Sequence, residues 1–243
     1  LVSSLQKSVR RGLANEAANL WDVAKELDKF HVMYRASIIA IEDVGLGNPE
    51  LVHDFLSTSL KKANLAEKGG DDYVRKVIID LSNSVKDRTA CDATWLASKI
   101  SPPNLENITL EQYYRDNQLD IIERSLAGWL LVGTKKIKHG LLTEKDEQSN
   151  IELFLDINKD LGVDEKILEV VKASYGYHKE PHIFAYPLLS LALKNEQERK
   201  MGSFTTGDPF GKDFDTPIYY HRGIPILMSA VDGHTSEGKK VLE

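Results

Sequence analysis

Residues 38–50 read IIAIEDVGLGNPE, and the fold follows from how that stretch is punctuated. Ile38, Ile39 and Ile41 close an apolar run, Glu42 and Asp43 add an acidic pair, and Gly45 ends it. Glycine accepts the positive φ at which many helices stop, so a left-handed cap is expected at Gly45. Asn48 and Pro49 then supply an N-cap and a proline at the first helical position, with Glu50 near the positive end of the new helix. One helix is therefore predicted over 31–44, turning Met33, Ala36, Ile39 and Ala40 inward, and another over 51–66.

Toward the N-terminus, residues 3–11 place Leu5 and Val9 four apart, leave Lys7, Arg10 and Arg11 off that stripe, and stop at Gly12. Residues 14–28 repeat the pattern with Ala17, Leu20, Trp21, Ala24 and Leu27, where Trp21 reads as a packing anchor rather than a binding platform. Toward the C-terminus, Gly69-Gly70 and a capping Asp71 open a helix with Tyr73, Val77, Ile78 and Leu81 on its buried side. A further helix over 89–99 stops at Ser101-Pro102-Pro103, the best domain boundary.

Beyond that boundary, Thr109 and Gln112 form a capping-box signature for a stretch reaching 139, weakened at Asp116-Asn117-Gln118 and Gly128. Helices follow over 151–161, 164–174 and 182–194; after Met201 glycine, proline and aspartate signal an extended tail or loop. With no convincing strand alternation and no internal repeat, the expected class is all-α. The expected organisation is a helical domain over 1–100, additional helices over 101–200 packed on it, and a loop-rich tail over 201–243.

The 243 residues, 42% hydrophobic and 28% charged, are enough to bury a core. The net charge of −6 is uneven, with 14 basic and 14 acidic residues in 1–100 against 17 and 23 in 101–243. That excludes a binder basic over its whole surface and leaves room for a local basic patch. A lone cysteine, Cys91, excludes an intramolecular disulfide, suits a reducing, cytoplasmic setting and reads as a structural thiol. No signal peptide or bilayer-length apolar run is visible, so no membrane partner is expected. A chain that begins at Leu1 rather than Met suggests a fragment or processed product, with chemistry carried upstream.

Candidate chemical motifs are sparse. Glu42 and Asp43 could work as a carboxylate pair, but adjacent helical positions point about 100° apart. A structural role is expected instead, one carboxylate bonding Arg35 or the free amides at the Asn48-Pro49 helix start. His178 and His182 have zinc-ligand spacing, yet Pro181 breaks the helix that would align them. His221 and His234, with Asp213, Asp215 and Asp232, are further possible ligands in the tail. Asp156, Asn158 and Asp160 imitate a calcium loop, but Ile167 occupies its twelfth position. No P-loop exists: after Gly202 and Gly207, Asp208 stands where lysine is required, and the Gly207–Lys212 spacing is one residue short. No Ser/His/Asp arrangement is recognisable. The basic sets Lys7, Arg10 and Arg11, Lys61-Lys62, and Lys135, Lys136 and Lys138 read as solvated helix faces that could meet phosphate if gathered on one surface.

LVSSLQKSVRRG, EAANLWDVAKEL and RASIIAIEDVGLGNPELV, taken in order, resemble the C-terminal helical region of the MgsA/RarA family, clamp-loader-like AAA+ ATPases of replication forks. The matching positions are Leu5, Lys7, Ser8, Arg10, Ala17, Trp21, Arg35, Ala40, Glu42, Asp43, Gly45, Leu46 and Pro49, so the resemblance covers about residues 1–100. It implies a collar of helices that joins subunits, as a homotetramer in that family, in DNA replication, recombination or repair. DNA or a single-strand-binding protein is the implied further partner, with Lys7, Arg10 and Arg11 as contact candidates. ATP and Mg²⁺ are implied only for a missing N-terminal module, and no catalysis for this chain alone. Two other readings stand beside it: a free-standing DNA-replication adaptor of phage or plasmid type, and a metal-dependent enzyme using the His/Asp-rich tail.

Overall fold

The apolar stripe on α1 (Val2–Arg10) meets that of α2 (Ala14–Ile39), where Leu5, Val9, Ala17, Trp21 and Ala24 are all buried. The computed structural model describes residues 1–59, 62–101, 104–132, 151–177, 181–196, 218–221 and 224–227. α2 bends at Asp28 (φ −159°, ψ 85°), whose carboxylate accepts the backbone amide of His31 at 3.0 Å and restarts the helix. The two arms of α2 thus correspond to the helices predicted over 14–28 and from 31 onward.

The chain then widens into a π-turn, Ala40–Val44, and a single 3-10 turn, Gly45–Gly47. α3 (Pro49–Ser59), α4 (Lys62–Glu67), α5 (Asp71–Asn83) and α6 (Thr89–Ala97) follow, with α5 packed on α2 and burying Val74, Val77, Ile78 and Leu81. Asp71 is the first residue of α5 rather than its cap; it makes an ion pair with Lys29. Lys86, almost wholly buried, donates its ammonium to the carbonyls of Leu81 and Ser82 at 3.0 and 2.8 Å and to that of Ser84, neutralising the negative end of α5.

The stretch expected from 109 onward divides into α7 (Leu110–Arg115) and α8 (Ile121–Val132). Thr109 and Gln112 form the capping box at the start of α7. Asp120 and Glu123 build a second one at α8, each accepting the other's backbone amide at 2.8 and 3.2 Å. Residues 133–139 lie outside the described residues. α9 (Ile151–Asp160), α10 (Glu165–Tyr177), a 3-10 turn (Pro181–Phe184) and α11 (Tyr186–Glu196) complete the bundle. α3 packs on α10 and α6 on α8, so one hydrophobic core runs through both parts of the chain.

Gly128, which reads in the sequence as a weak point of its helix, is instead a contact. A Cβ there would sit 2.8 Å from Tyr114 and 2.9 Å from Phe154. Those rings pack tilted at 5.4 Å, and Phe154 meets Phe184 edge-on at 5.6 Å. Tyr114 donates to Asn158 Oδ1 at 2.8 Å while Asn158 donates to the Phe154 carbonyl at 2.7 Å. The calcium-like triplet is therefore ordinary helix with its middle member buried.

The bundle is all-α. One departure falls in the tail expected to be loop: an antiparallel hairpin of β1 (Ile218–His221) and β2 (Ile224–Leu227), with Ile218 paired to Leu227 and His221 to Ile224. IYYH and IPIL contain apolar runs without polar alternation, which hides such strands from a period-two reading. Among the described residues no helix is long and apolar enough to cross a membrane.

Candidate functional site

The acidic pair in the π-turn sits at the centre of a polar cluster drawn from several segments of the chain. Asp43 is completely buried; its Oδ1 accepts Arg10 Nε at 2.7 Å, and Arg88 Nε lies 3.3 Å from the same oxygen at ion-pair rather than hydrogen-bond geometry. Gln6 Nε2 donates to Asp43 Oδ2 at 2.9 Å and to Glu42 Oε2 at 2.8 Å, so two carboxylates expected on different faces converge on one amide. Arg35 does not reach either in these bonds; it donates to Gln6 Oε1 at 3.4 Å. Eight residues of helix separate Arg35 from Asp43, a rise of about 12 Å, which explains why arginines from α1 and the α5–α6 connection hold the carboxylate instead. Nor do the amides of the α3 start serve the pair: Leu51 N donates to Asn48 Oδ1 at 3.2 Å, and Pro49 opens the helix.

Gly45 carries φ +47° and ψ −123°, a positive-φ reversal but not the left-handed cap expected from sequence. The reversal brings the chain against the segment before α6. A Cβ at Gly45 would lie 2.9 Å from the Tyr186 hydroxyl and 3.2 Å from the Asp87 carbonyl; at Gly47 it would lie 2.4 Å from the Val85 carbonyl. The two glycines let residues 84–88 lie against the turn, where Asp87 N donates to the Asp43 carbonyl at 3.2 Å and Asn48 Nδ2 to Ser84 Oγ at 3.0 Å. Asp87 in turn caps α6 by accepting the amide and hydroxyl of Thr89. From below, Tyr186 at the start of α11 donates to the Ile41 carbonyl.

The electrostatics suit a lock. Burial is the largest influence on Arg88 and works against its charge, but the Asp43 carboxylate, Cys91 and Asp92 together outweigh it and hold Arg88 above its ordinary pKa. Burial, assisted by the Glu42 charge, pushes the Cys91 thiol up, although Arg88 lies 3.7 Å from its sulfur. A raised thiol is a poor nucleophile, in keeping with a structural role. Burial and the surrounding carboxylates also raise Tyr186 well above its usual value, so its hydroxyl stays a donor.

Of the phosphate-contact candidates, Arg10 is spent on Asp43, while Lys7 and Arg11 are half-buried on and just beyond α1. Lys61, Lys135, Lys136 and Lys138 lie outside the described residues, as do His178, His234, Asp213, Asp215 and Asp232. His182 approaches Glu42 at 3.9 Å, not a metal-like cluster. Among the described residues no three His, Cys, Asp or Glu side chains are placed to hold a metal ion. Sequence reasoning found Glu42, Asp43, Gly45, Asn48 and Pro49 as a corner but missed Gln6, Arg88, Asp87 and Tyr186. These come from distant segments with no spacing signal, apart from the Arg10-Gln6 periodicity on α1. No protein-family model, curated protein or solved structure matches this chain.

Proposed function

We propose that this chain is a helical, self-associating module of a clamp-loader-like AAA+ protein in DNA replication, recombination or repair. The observation that carries self-association is an apolar strip across the bend of α2. Val23, Leu27, Phe30 and Tyr34 follow one another at spacings of four, three and four, and Leu27 and Phe30 are 71% and 61% exposed. Large apolar side chains exposed together on one element mark a partner site. A self-complementary patch closes into a symmetric oligomer, and the MgsA/RarA resemblance makes a homotetramer the expected form. The placement of Asp43 between Arg10 and Arg88, with Gln6 bonded to its second oxygen, gives the acidic pair a structural place in the corner and supports assembly as the role of this part of the chain. In this reading ATP and Mg²⁺ belong to the ATPase module of that protein and not to this chain, the setting is cytoplasmic, and Lys7 and Arg11 are the contacts for DNA or a single-strand-binding protein.

Light scattering of the full chain at tens of micromolar tests the reading. The wild type is expected well above the 27.3 kDa of one chain, and Leu27→Asp combined with Phe30→Asp is expected at the monomer mass with unchanged helical circular dichroism. A strictly monomeric wild type overturns it.

A further inference from the structure

We propose that the β1–β2 hairpin is the occupant of an apolar groove between α6, α8 and α11 of its own chain. The groove encloses about 350 Å³ and is walled by Ala93 and Leu96, Ile121 and Ile122, and Leu189 and Leu193. Leu193 also borders a hollow of about 190 Å³ beside Leu46 and Ile167. Leu193 belongs to the last turn of α11, so the chain leaves the bundle at the edge of the groove.

The hairpin supplies the matching need. An isolated two-stranded ribbon is at best marginally stable in water and holds only when packed against a helix or further strands. IYYH with IPIL carries no charged residue, its polar groups being His221 and the hydroxyls of Tyr219 and Tyr220, so the sequence lacks the alternation of charged and apolar positions that marks a ribbon solvated on one side. Residues 197–217 separate α11 from β1, and at about 3.3 Å per residue that length spans tens of ångströms, ample for a return to the groove. Charge agrees: Asp92 borders the groove and Asp120, exposed, precedes Ile121, whereas the sequence between the strands carries Arg222. This docking is independent of the α2 strip and of self-association.

A photoreactive benzoylphenylalanine placed at Leu96, already exposed and so harmless to folding, tests it in the full chain. Irradiation of a mixture of isotopically light and heavy chains, followed by peptide mass spectrometry, is expected to join Leu96 to residues 218–227 of the same chain. Ile226→Asp and Asp92→Arg are each expected to lower that yield severalfold with helical circular dichroism unchanged. Cross-links confined to other segments, cross-links to the hairpin of a second chain, or a yield indifferent to both substitutions overturn the proposal.

Discussion

The hydroxyl of Tyr186 donates a hydrogen bond to the main-chain carbonyl of Ile41, across 145 residues of sequence and inside the core. A π-turn leaves its carbonyls without the regular helical partners, and one of them is buried at Ile41. Tyr186 satisfies it and at the same time closes the floor beneath Gly45. The first helix of the acidic corner and the last helix of the bundle are thereby tied by one side chain.

Tyr186→Phe removes that donor and leaves the carbonyl unsatisfied, an expected loss of about 1–3 kcal/mol in urea unfolding. Gly45→Ala is expected to destabilise as well, since its φ of +47° strains any side chain and its Cβ would press on the same hydroxyl. Combined, the two should cost less than their sum by at least about 0.5 kcal/mol, because the Phe variant removes the atom nearest the new methyl. Strict additivity would show that Gly45 is held only by its backbone and the Asp87 carbonyl.

Gly128→Ala and Gly176→Ala make opposite changes to the same residue type in helices. At Gly128 the added methyl meets Tyr114 and Phe154 below 3 Å, and overpacking of about 1–3 kcal/mol outweighs the roughly 1 kcal/mol gain in helix propensity. At Gly176 nothing lies within 4 Å of the new methyl, so a gain of up to about 1 kcal/mol is expected. Parallel urea titrations decide both signs.

Much of the bundle is legible in the sequence because each stripe reports only its own helix. Leu5 and Val9, Ala17 and Trp21, and Val77 and Leu81 reveal their buried faces locally, and Asn48-Pro49 marks its helix start. The hub is less legible because its bonds are set by tertiary meeting points. Arg35 looked like the partner of the acidic pair from proximity in sequence, but a helix carries it two turns away, whereas Arg10 and Arg88 arrive on other segments. Gly47 and Gly128 illustrate the same limit, since the reason for each glycine is an atom of a distant segment.

Asp22, on α2, supplies a pH test. Its hydrogen bond from Arg75 on α5, 2.8 Å long, holds its carboxyl below the ordinary value, with Lys25 assisting. A depressed folded-state pKa contributes stability above the unfolded value, near 4, that is lost as pH falls through the folded value. The side chain is 37% exposed, so solvent screening limits the contribution to a fraction of a kcal/mol. Asp22→Asn is therefore expected to be slightly less stable than wild type at pH 7, with the gap closing below about pH 4. A gap independent of pH would mean that the charge at Asp22 is not what joins α2 to α5.

Asp43 provides the most demanding test of the lock. Asp43→Asn keeps its shape but removes the charge facing Arg10 and Arg88, with an expected loss of about 3 kcal/mol, the low end for breaking a buried pair because both arginines reach solvent. Arg10→Met or Arg88→Met alone should cost about 1.5–2 kcal/mol, since the other guanidinium and Gln6 still serve the carboxylate. Removing both leaves a buried charge with Gln6 as its remaining side-chain donor in this set, so the double substitution should cost more than the two single changes together. Urea midpoints of the three variants measure this directly. If the double change is merely additive, each arginine contributes on its own and Asp43 is not shared between α1 and the segment before α6.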